Sequence, residues 1–368
     1  MLHASVTEQQ PSVIHASEPI EAGLTVCAYD TNASSQILDL LQTTLGNSGA
    51  VRKTADFWQW KHHANPFGAS YGLYIWDEAE QSVAGLRVLM RWVWRDKAGK
   101  ALQAVRAVDT ATHPDYQRQG IFSRLTNQAI IDLSTEGVAC IFNTPNQKSL
   151  PGYLKMGWQV AAQWPLYIKP LRPLRMAWRR LQPQAAARTW PFSAYFGDKI
   201  LTWPAFVAAY GDQLPPFLAT SEGARRQVGL RTPRTLAYLD WRYGQHPTVQ
   251  YGVYAETTTA NQLVGFAILR PNVRYGWQEI VLTELCLAEP DGATGRRLLR
   301  NLTRQLRGDY VIAHFAEATA ERQLLRQSGF LRLPRQQMTF TVRPLQPGLE
   351  WLSQPAQWDL TLGDLEIF

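Results

Sequence analysis

The sequence predicts an α/β fold built as two copies of one domain in tandem. Three observations carry this. The chain has 368 residues, too many for one ordinary domain and enough for two. A stretch of the first half, Ala55 to Arg91, has a counterpart in Leu236 to Arg270. And a strand, a Pro-Asp loop, a glycine and a helix follow in that order in both halves.

The first pair reads "ADFWQWKHHANPFGASYGLYIWDEAEQSVAGLRVLMR" against "LAYLDWRYGQHPTVQYGVYAETTTANQLVGFAILR". Each is an aromatic helix that ends in a basic, polar run and a proline, then two strands. Trp60 corresponds to Trp241, Pro66 to Pro247, Tyr71-Gly72 to Tyr251-Gly252 and Gly85 to Gly265. Next, "VRAVDTATHPDYQRQGIFSRLTNQAI" is answered by "VLTELCLAEPDGATGRRLLRNLTRQL". Finally "GVACIFNTPNQKSLPGYLKMGW" is answered by "DYVIAHFAEATAERQLLRQSGF", a strand, a short helix and a Gly-aromatic ending. These matches set domains at about 22–165 and 222–343. Residues 1–21 read as a polar, loosely ordered tail. Residues 166–221, rich in Pro, Trp and Arg, read as a connector. Residues 344–368 are expected to pack back on a domain, since they carry Trp351 and Trp358.

Composition excludes several classes. Apolar residues make up 45% and charged ones 18%, a globular balance. No apolar run approaches the roughly 20 residues of a membrane helix. The N-terminus lacks a basic region followed by an apolar stretch, so no secretory signal is expected. Cys27, Cys140 and Cys286 are far apart, odd in number and set in apolar runs, which suits buried thiols in a reducing cytoplasm. The net charge of +7 fits nucleic acid, an acidic membrane surface, an anionic ligand or a slightly basic soluble protein with no such partner. The basic run Lys169 to Arg180 reads as a solvated connector with its Arg stems packed on the surface.

The loop "HPDYQRQGIFSRL" (113–125) runs from a strand straight onto a helix with apolar residues at Ile121, Leu125, Ala129 and Leu133. A helix start carries amide N–H groups without internal partners and the positive end of the macrodipole, which together attract phosphate. Gly120 lets backbone approach a ligand, and Gln117, Arg118 and Gln119 add donors. Other nucleotide sites fail by inspection. There is no G-x-x-x-x-G-K-[ST], no G-x-G-x-x-G after a strand, no G-x-S-x-G and no H-E-x-x-H. No metal site is expected, since His62 and His63 are sequence neighbours and do not face each other on a helix.

Together these segments resemble the GNAT superfamily of acetyl-CoA-dependent N-acetyltransferases. That family's loop has Arg or Gln, two residues, Gly, one residue, then Gly or Ala. Gln117 and Gly120 match, and Phe122 departs by standing where a small residue is usual. A family tyrosine four residues before a Gly-aromatic pair is matched by Tyr153 before Gly157-Trp158, and an asparagine seven before it by Asn146. The resemblance implies a mixed, mostly antiparallel central sheet flanked by helices in each of two tandem GNAT-like domains. It implies acetyl-CoA as acyl donor, with its pantetheine along the fourth strand and Thr110, Ala111 and Thr112 nearest the thioester. Its pyrophosphate would meet the amides of Gln117, Arg118, Gln119, Gly120, Ile121 and Phe122, and Asn146 would reach the pantetheine. Tyr153 would protonate the leaving thiolate, a fitting task for a phenol of pKa about 10. Asp109 would act as base through a water or bind the substrate's ammonium; it would otherwise be a strand-end carboxylate paired to Arg106 or another arginine.

The second copy lacks these groups. Leu325 stands at the tyrosine position and Ala318 at the asparagine position. Its basic helix, with Arg296, Arg297, Arg300, Arg304 and Arg307, would attract an anion or form the solvated face of an amphipathic helix with Leu298, Leu299 and Leu302 inward. One acetyl-CoA site per chain is therefore expected, with a small-molecule primary amine as acceptor and nucleic acid not expected as a partner. Trp58, Trp60, Trp158 and Trp241 would suit a sugar ring, hence an amino sugar or polysaccharide precursor, unless they are core residues. Two other readings stay open: a Fem-like aminoacyltransferase using aminoacyl-tRNA, and a non-catalytic coenzyme A-binding or scaffolding protein.

Overall fold

A computed structural model describes residues 23–29, 33–45, 54–180, 190–224, 229–289, 292–316 and 319–365. The expected N-terminal tail, Ala318 and the last three residues lie outside the described residues. Twelve strands run in chain order as β1 (Leu24–Ala28), β2 (Tyr71–Asp77), β3 (Ser82–Arg95), β4 (Ala101–Thr112), β5 (Cys140–Asn143), β6 (Gln159–Pro170), β7 (Ile200–Thr202), β8 (Gly252–Thr257), β9 (Leu263–Arg274), β10 (Trp277–Leu287), β11 (Tyr310–Ala313) and β12 (Leu331–Pro344). The helices are α1 (Ser34–Leu45), α2 (Ala55–His62), α3 (Ile121–Thr135), α4 (Leu150–Lys155), α5 (Pro173–Arg180), α6 (Trp203–Tyr210), α7 (Leu214–Ala224), α8 (Leu236–Leu239), α9 (Gly292–Gln305), α10 (Ala320–Gln327) and α11 (Leu362–Leu365).

All twelve strands form one sheet, in the order β1-β2-β3-β4-β5-β12-β6-β11-β10-β9-β8-β7. The order is nearly a palindrome. β4 and β5 pair in parallel, as do β10 and β11. At the centre the halves exchange strands: β12 lies between β5 and β6, and β6 lies between β12 and β11. Sequence reading gave each domain its own sheet; the structure joins them. The reason lies in β6, "QVAAQWPLYIKP", which crosses the boundary drawn at 165. It buries Ala161, Ala162, Trp164 and Tyr167, and as a free edge it would leave its ladder groups and these apolar side chains exposed.

The stretch read as a connector is partly built into the second half. β7 pairs with β8 and closes the sheet edge, as β1 does with β2. Trp203, Phe206, Leu214 and Phe217 of α6 and α7 are buried in the main core. That core runs across both halves, uniting Trp60, Trp92, Trp94, Phe142 and Trp164 with Trp241, Tyr251 and Phe266. In the C-terminal segment Trp358 is buried, donates to the Leu352 carbonyl and sets its ring edge-on to Trp94 at 5.2 Å. Arg106 holds α11 by donating to the carbonyls of Asp364 and Leu365. All three cysteines are buried thiols that form no disulfide among the described residues.

Candidate active site

The 113–120 loop is pinned at its start by the His113 amide on the Ala84 carbonyl and by the Tyr116 hydroxyl on Asp77 Oδ2 at 2.6 Å. It then turns through two left-handed residues, Arg118 at φ 67° and Gly120 at φ 78°. Gly120 caps α3 with no side-chain hydrogen bond, so the first-turn amides of Ile121, Phe122 and Ser123 face outward uncapped. A Cβ placed on Gly120 would meet no atom within 4 Å, so the space beside it is open. Gln117, Arg118 and Gln119 are exposed around this space.

Ile121 offers only its amide. Its side chain is buried against Gly85, where an added Cβ would lie 2.5 Å from Ile121 Cγ2. The Phe122 ring turns away from the helix start and sits edge-on to Tyr153, with centroids 5.7 Å apart.

Beside the loop, β4 and β5 pair only over Ala104–Arg106 and Cys140–Phe142. Beyond that the strands part. Thr110, Ala111 and Thr112 keep β3 on one side, opposite Arg87, Leu86 and Gly85, and have no strand partner on the other. A register shift between Arg87 and Leu89 marks a bulge at Val108 and Asp109. The open edge, the first turn of α3 and Tyr153 thus lie near one another.

Tyr153 is 6% exposed on α4. Its hydroxyl oxygen accepts from Arg87 Nη1 at 3.0 Å, and the same nitrogen donates to Thr110 Oγ1 at 2.6 Å. Arg87 is 0% exposed, and its guanidinium lies 5.4 Å from the ring centres of both Phe122 and Tyr153. Its Nε and Nη2 have no hydrogen-bond partner among the described residues. Because the phenol oxygen accepts from Arg87, its own O–H proton is free to point elsewhere. Sequence reading missed Arg87. The signal was present: a single arginine in the apolar run "VAGLRVLM".

Asn146 shapes the turn that precedes α4: its Oδ1 accepts from the Lys148 and Ser149 amides at 2.9 and 3.0 Å. Asp109 is not paired to Arg106, which turns to the C-terminal segment instead. Asp109 Oδ2 takes Lys61 Nζ at 2.6 Å and His62 Nε2 at 3.1 Å, all three buried. Burial pushes the His62 imidazole down to about 4, so it is neutral at pH 7, and its Nδ1 meets Ser70 Oγ at 2.9 Å. A carboxylate held by a buried ammonium is a weak base. Lys61 and His62 were also missed as site neighbours, because α2 and β4 are far apart in sequence.

The second half builds a different site. Gly85 lies opposite Thr112 and packs on Ile121; Gly265 lies opposite Leu287 and packs on Leu298. Leu298 therefore takes the place of Ile121, and the residues before it are already helical from Gly292, where the first half has its open loop. By the same register Glu284 takes the place of Asp109 and Ala267 that of Arg87. Glu284 is locked by Arg234 at 3.0 Å and the Tyr243 hydroxyl at 2.8 Å. Leu325 is fully buried.

Trp58, Trp60, Trp158 and Trp241 are all buried, so the stacking argument for a sugar ring falls. Among the described residues no group of three or more His, Cys, Asp or Glu side chains is placed to hold a metal ion. No helix among them is long and apolar enough to cross a membrane.

In this mixed sheet the strands part beside an uncapped helix start, and Tyr153 is linked through Arg87 to Thr110 at the parting. Residues 28–161 match the family model for an acetyltransferase (GNAT) domain. The fold extends over nearly the whole chain in solved structures. A probable N-acyltransferase from Enterococcus faecalis aligns at TM-score 0.59 and 13% identity, over 89% of this chain and 74% of that one. A GCN5-related N-acetyltransferase from Anabaena variabilis aligns at TM-score 0.57 and 14% identity, over 90% and 75%. N-myristoyltransferase from Saccharomyces cerevisiae with bound myristoyl-CoA aligns at TM-score 0.57 and 10% identity, over 91% and 82%. No curated protein matches the chain by sequence.

Proposed function

We propose that the chain moves an acetyl group from acetyl-CoA to a small primary amine, at one site per chain in the first of two tandem GNAT-like units. The observation that carries this reading is that the uncapped α3 start, the open edge of β4 and the buried Tyr153 hydroxyl lie near one another. The second half has no such loop, and Leu325 and Ala267 leave it without a proton donor or cation at the equivalent place.

In this reading the diphosphate of the donor sits on the amides from Gln117 to Phe122, and Phe122 tolerates it because its ring packs on Tyr153. The pantetheine lies along Thr110–Thr112, and Asn146, already shaping the turn before α4, turns its Nδ2 toward it. The amine attacks the thioester carbonyl, the C–S bond breaks, and Tyr153 gives its proton to the departing thiolate. The proton lost by the amine leaves to solvent, and Tyr153 is reprotonated from there. Arg87 holds the phenol oxygen and places positive charge beside the group that becomes anionic. Asp109 keeps Lys61 and His62 in place at the acceptor end of β4 and does not act as base.

Release of free thiol from acetyl-CoA, measured across a panel of small primary amines, tests the reading. Amine-dependent release that is lost in Tyr153→Phe supports it. Release that is independent of any amine, or unchanged in that variant, overturns it.

A further inference from the structure

The helix α9 carries Arg296, Arg297, Arg300 and Arg304 and no acidic residue. Arg296, Arg300 and Arg304 recur every fourth position, so they form one row about 12 Å long. Like charges at this spacing cost a helix about 0.2–0.5 kcal/mol per pair. The fold does not require them. Leu298, Leu299 and Leu302 already seat α9 on the sheet, and the corresponding helix α3 has a single arginine.

The row borders a cavity of about 630 Å³, lined also by Lys169, Thr303, Gln327 and Ser328. Lys169 reaches in from β6, donating to the Ser328 carbonyl at 2.7 Å and lying 3.4 Å from Thr303 Oγ1. Arg297 is neutralised by Glu256 at 2.6 Å. Arg296 meets only the amide oxygen of Gln327 at 3.2 Å. Arg300 and Arg304 have no ion pair among the described residues. Arg296, Arg300, Arg304 and Lys169 thus face one concave space whose lining, among the described residues, includes no carboxylate.

We propose that this groove is a second ligand site, separate from the acyl-transfer site, for a small organic molecule carrying a diphosphate. Arginine forks match phosphate oxygens two at a time, and several cations within about 12 Å suit two linked phosphates better than one carboxylate. The volume lies in the small-molecule range, roughly 300–1,000 Å³, and exceeds what a bare diphosphate fills, which leaves room for an organic group. Acetyl-CoA in the first-half manner is excluded here, because the helix from Gly292 replaces the amide loop that would cradle its diphosphate.

The test is calorimetric titration of the full chain, with acetyl-CoA saturating the first-half loop, using inorganic pyrophosphate in one arm and UDP in the other. The expected result is one site per chain for each probe, with UDP at least as tight as pyrophosphate. Arg300→Gln with Arg304→Gln should weaken both by about tenfold or more, since the pair supplies two of the charge-assisted phosphate contacts. That double variant should keep its fold and acyl-transfer rate, as it removes like-charge repulsion from an exposed face. Pyrophosphate binding without UDP binding would mean a free-diphosphate site and overturn the organic part of the proposal. No binding of either probe, unchanged binding in the double variant, or binding only of a single-stranded RNA or of anionic vesicles would overturn it altogether.

Discussion

Trp60 and Trp241 each donate the indole N–H to the other's main-chain carbonyl, at 2.7 and 2.9 Å, with their rings stacked 5.1 Å apart. They hold corresponding positions in the two halves, so the repeat meets itself at the centre of the core. Trp60→Ala should cost about 3–5 kcal/mol, the scale for a buried aromatic. Trp241→Ala should cost about as much, and the double variant less than the sum, because each change alone already removes the ring stacking that the two share. Urea unfolding of the three variants measures this; strict additivity would mean the pair is not coupled.

Tyr153→Phe removes the proposed proton donor while keeping the ring that packs on Phe122 and Trp158. Turnover should fall by about 10- to 1000-fold, with acetyl-CoA affinity nearly unchanged. Steady-state kinetics beside a binding titration separates the two effects. Equal turnover would make Tyr153 a packing residue.

Arg87 is a buried cation with two unpartnered nitrogens, an arrangement that costs stability. Arg87→Met should therefore leave the melting temperature unchanged or raise it, while turnover falls on the order of 100-fold. Combined with Tyr153→Phe it should fall little further, since Arg87 acts through the tyrosine. A loss of stability with full activity would show that the arginine is structural.

Gly120→Val puts a β-branched side chain at φ 78° and into the open space beside the α3 amides. Acetyl-CoA binding should be lost. Calorimetry on the wild-type chain and this variant checks it, and unimpaired binding would move the donor elsewhere.

Acid should destabilise the chain before its carboxylates titrate. Burial lowers both His62 and His314 to about 4. Unfolded histidines take up a proton near pH 6.5. Between those values the unfolded state binds more protons, so stability is full above about pH 6.5 and is lost as pH falls toward 4. Each histidine contributes on the order of 3 kcal/mol by the bottom of that window. His314 Nδ1 lies 2.9 Å from the Pro165 carbonyl, a bond that an amide can replace. His314→Gln should flatten the fall, read from urea midpoints at pH 7, 6 and 5.

The sequence by itself determined the strand–loop–helix units and the loop with Gly120, because these depend on local periodicity and turn chemistry. It placed Gly120 three residues after Gln117, and Tyr153 four before Gly157 and seven after Asn146. Only the tertiary structure decided three things. It exchanged β6 and β12 between the halves, since strand partners are set by which buried faces need covering and not by chain order. It gave Asp109 to Lys61 and His62 and left Arg106 to the C-terminal segment, because long-range pairing has no local signature. And it set Arg87 against Tyr153: a charge in an apolar strand announces itself in sequence, but the partner it meets is fixed only when β3, β4 and α4 pack together.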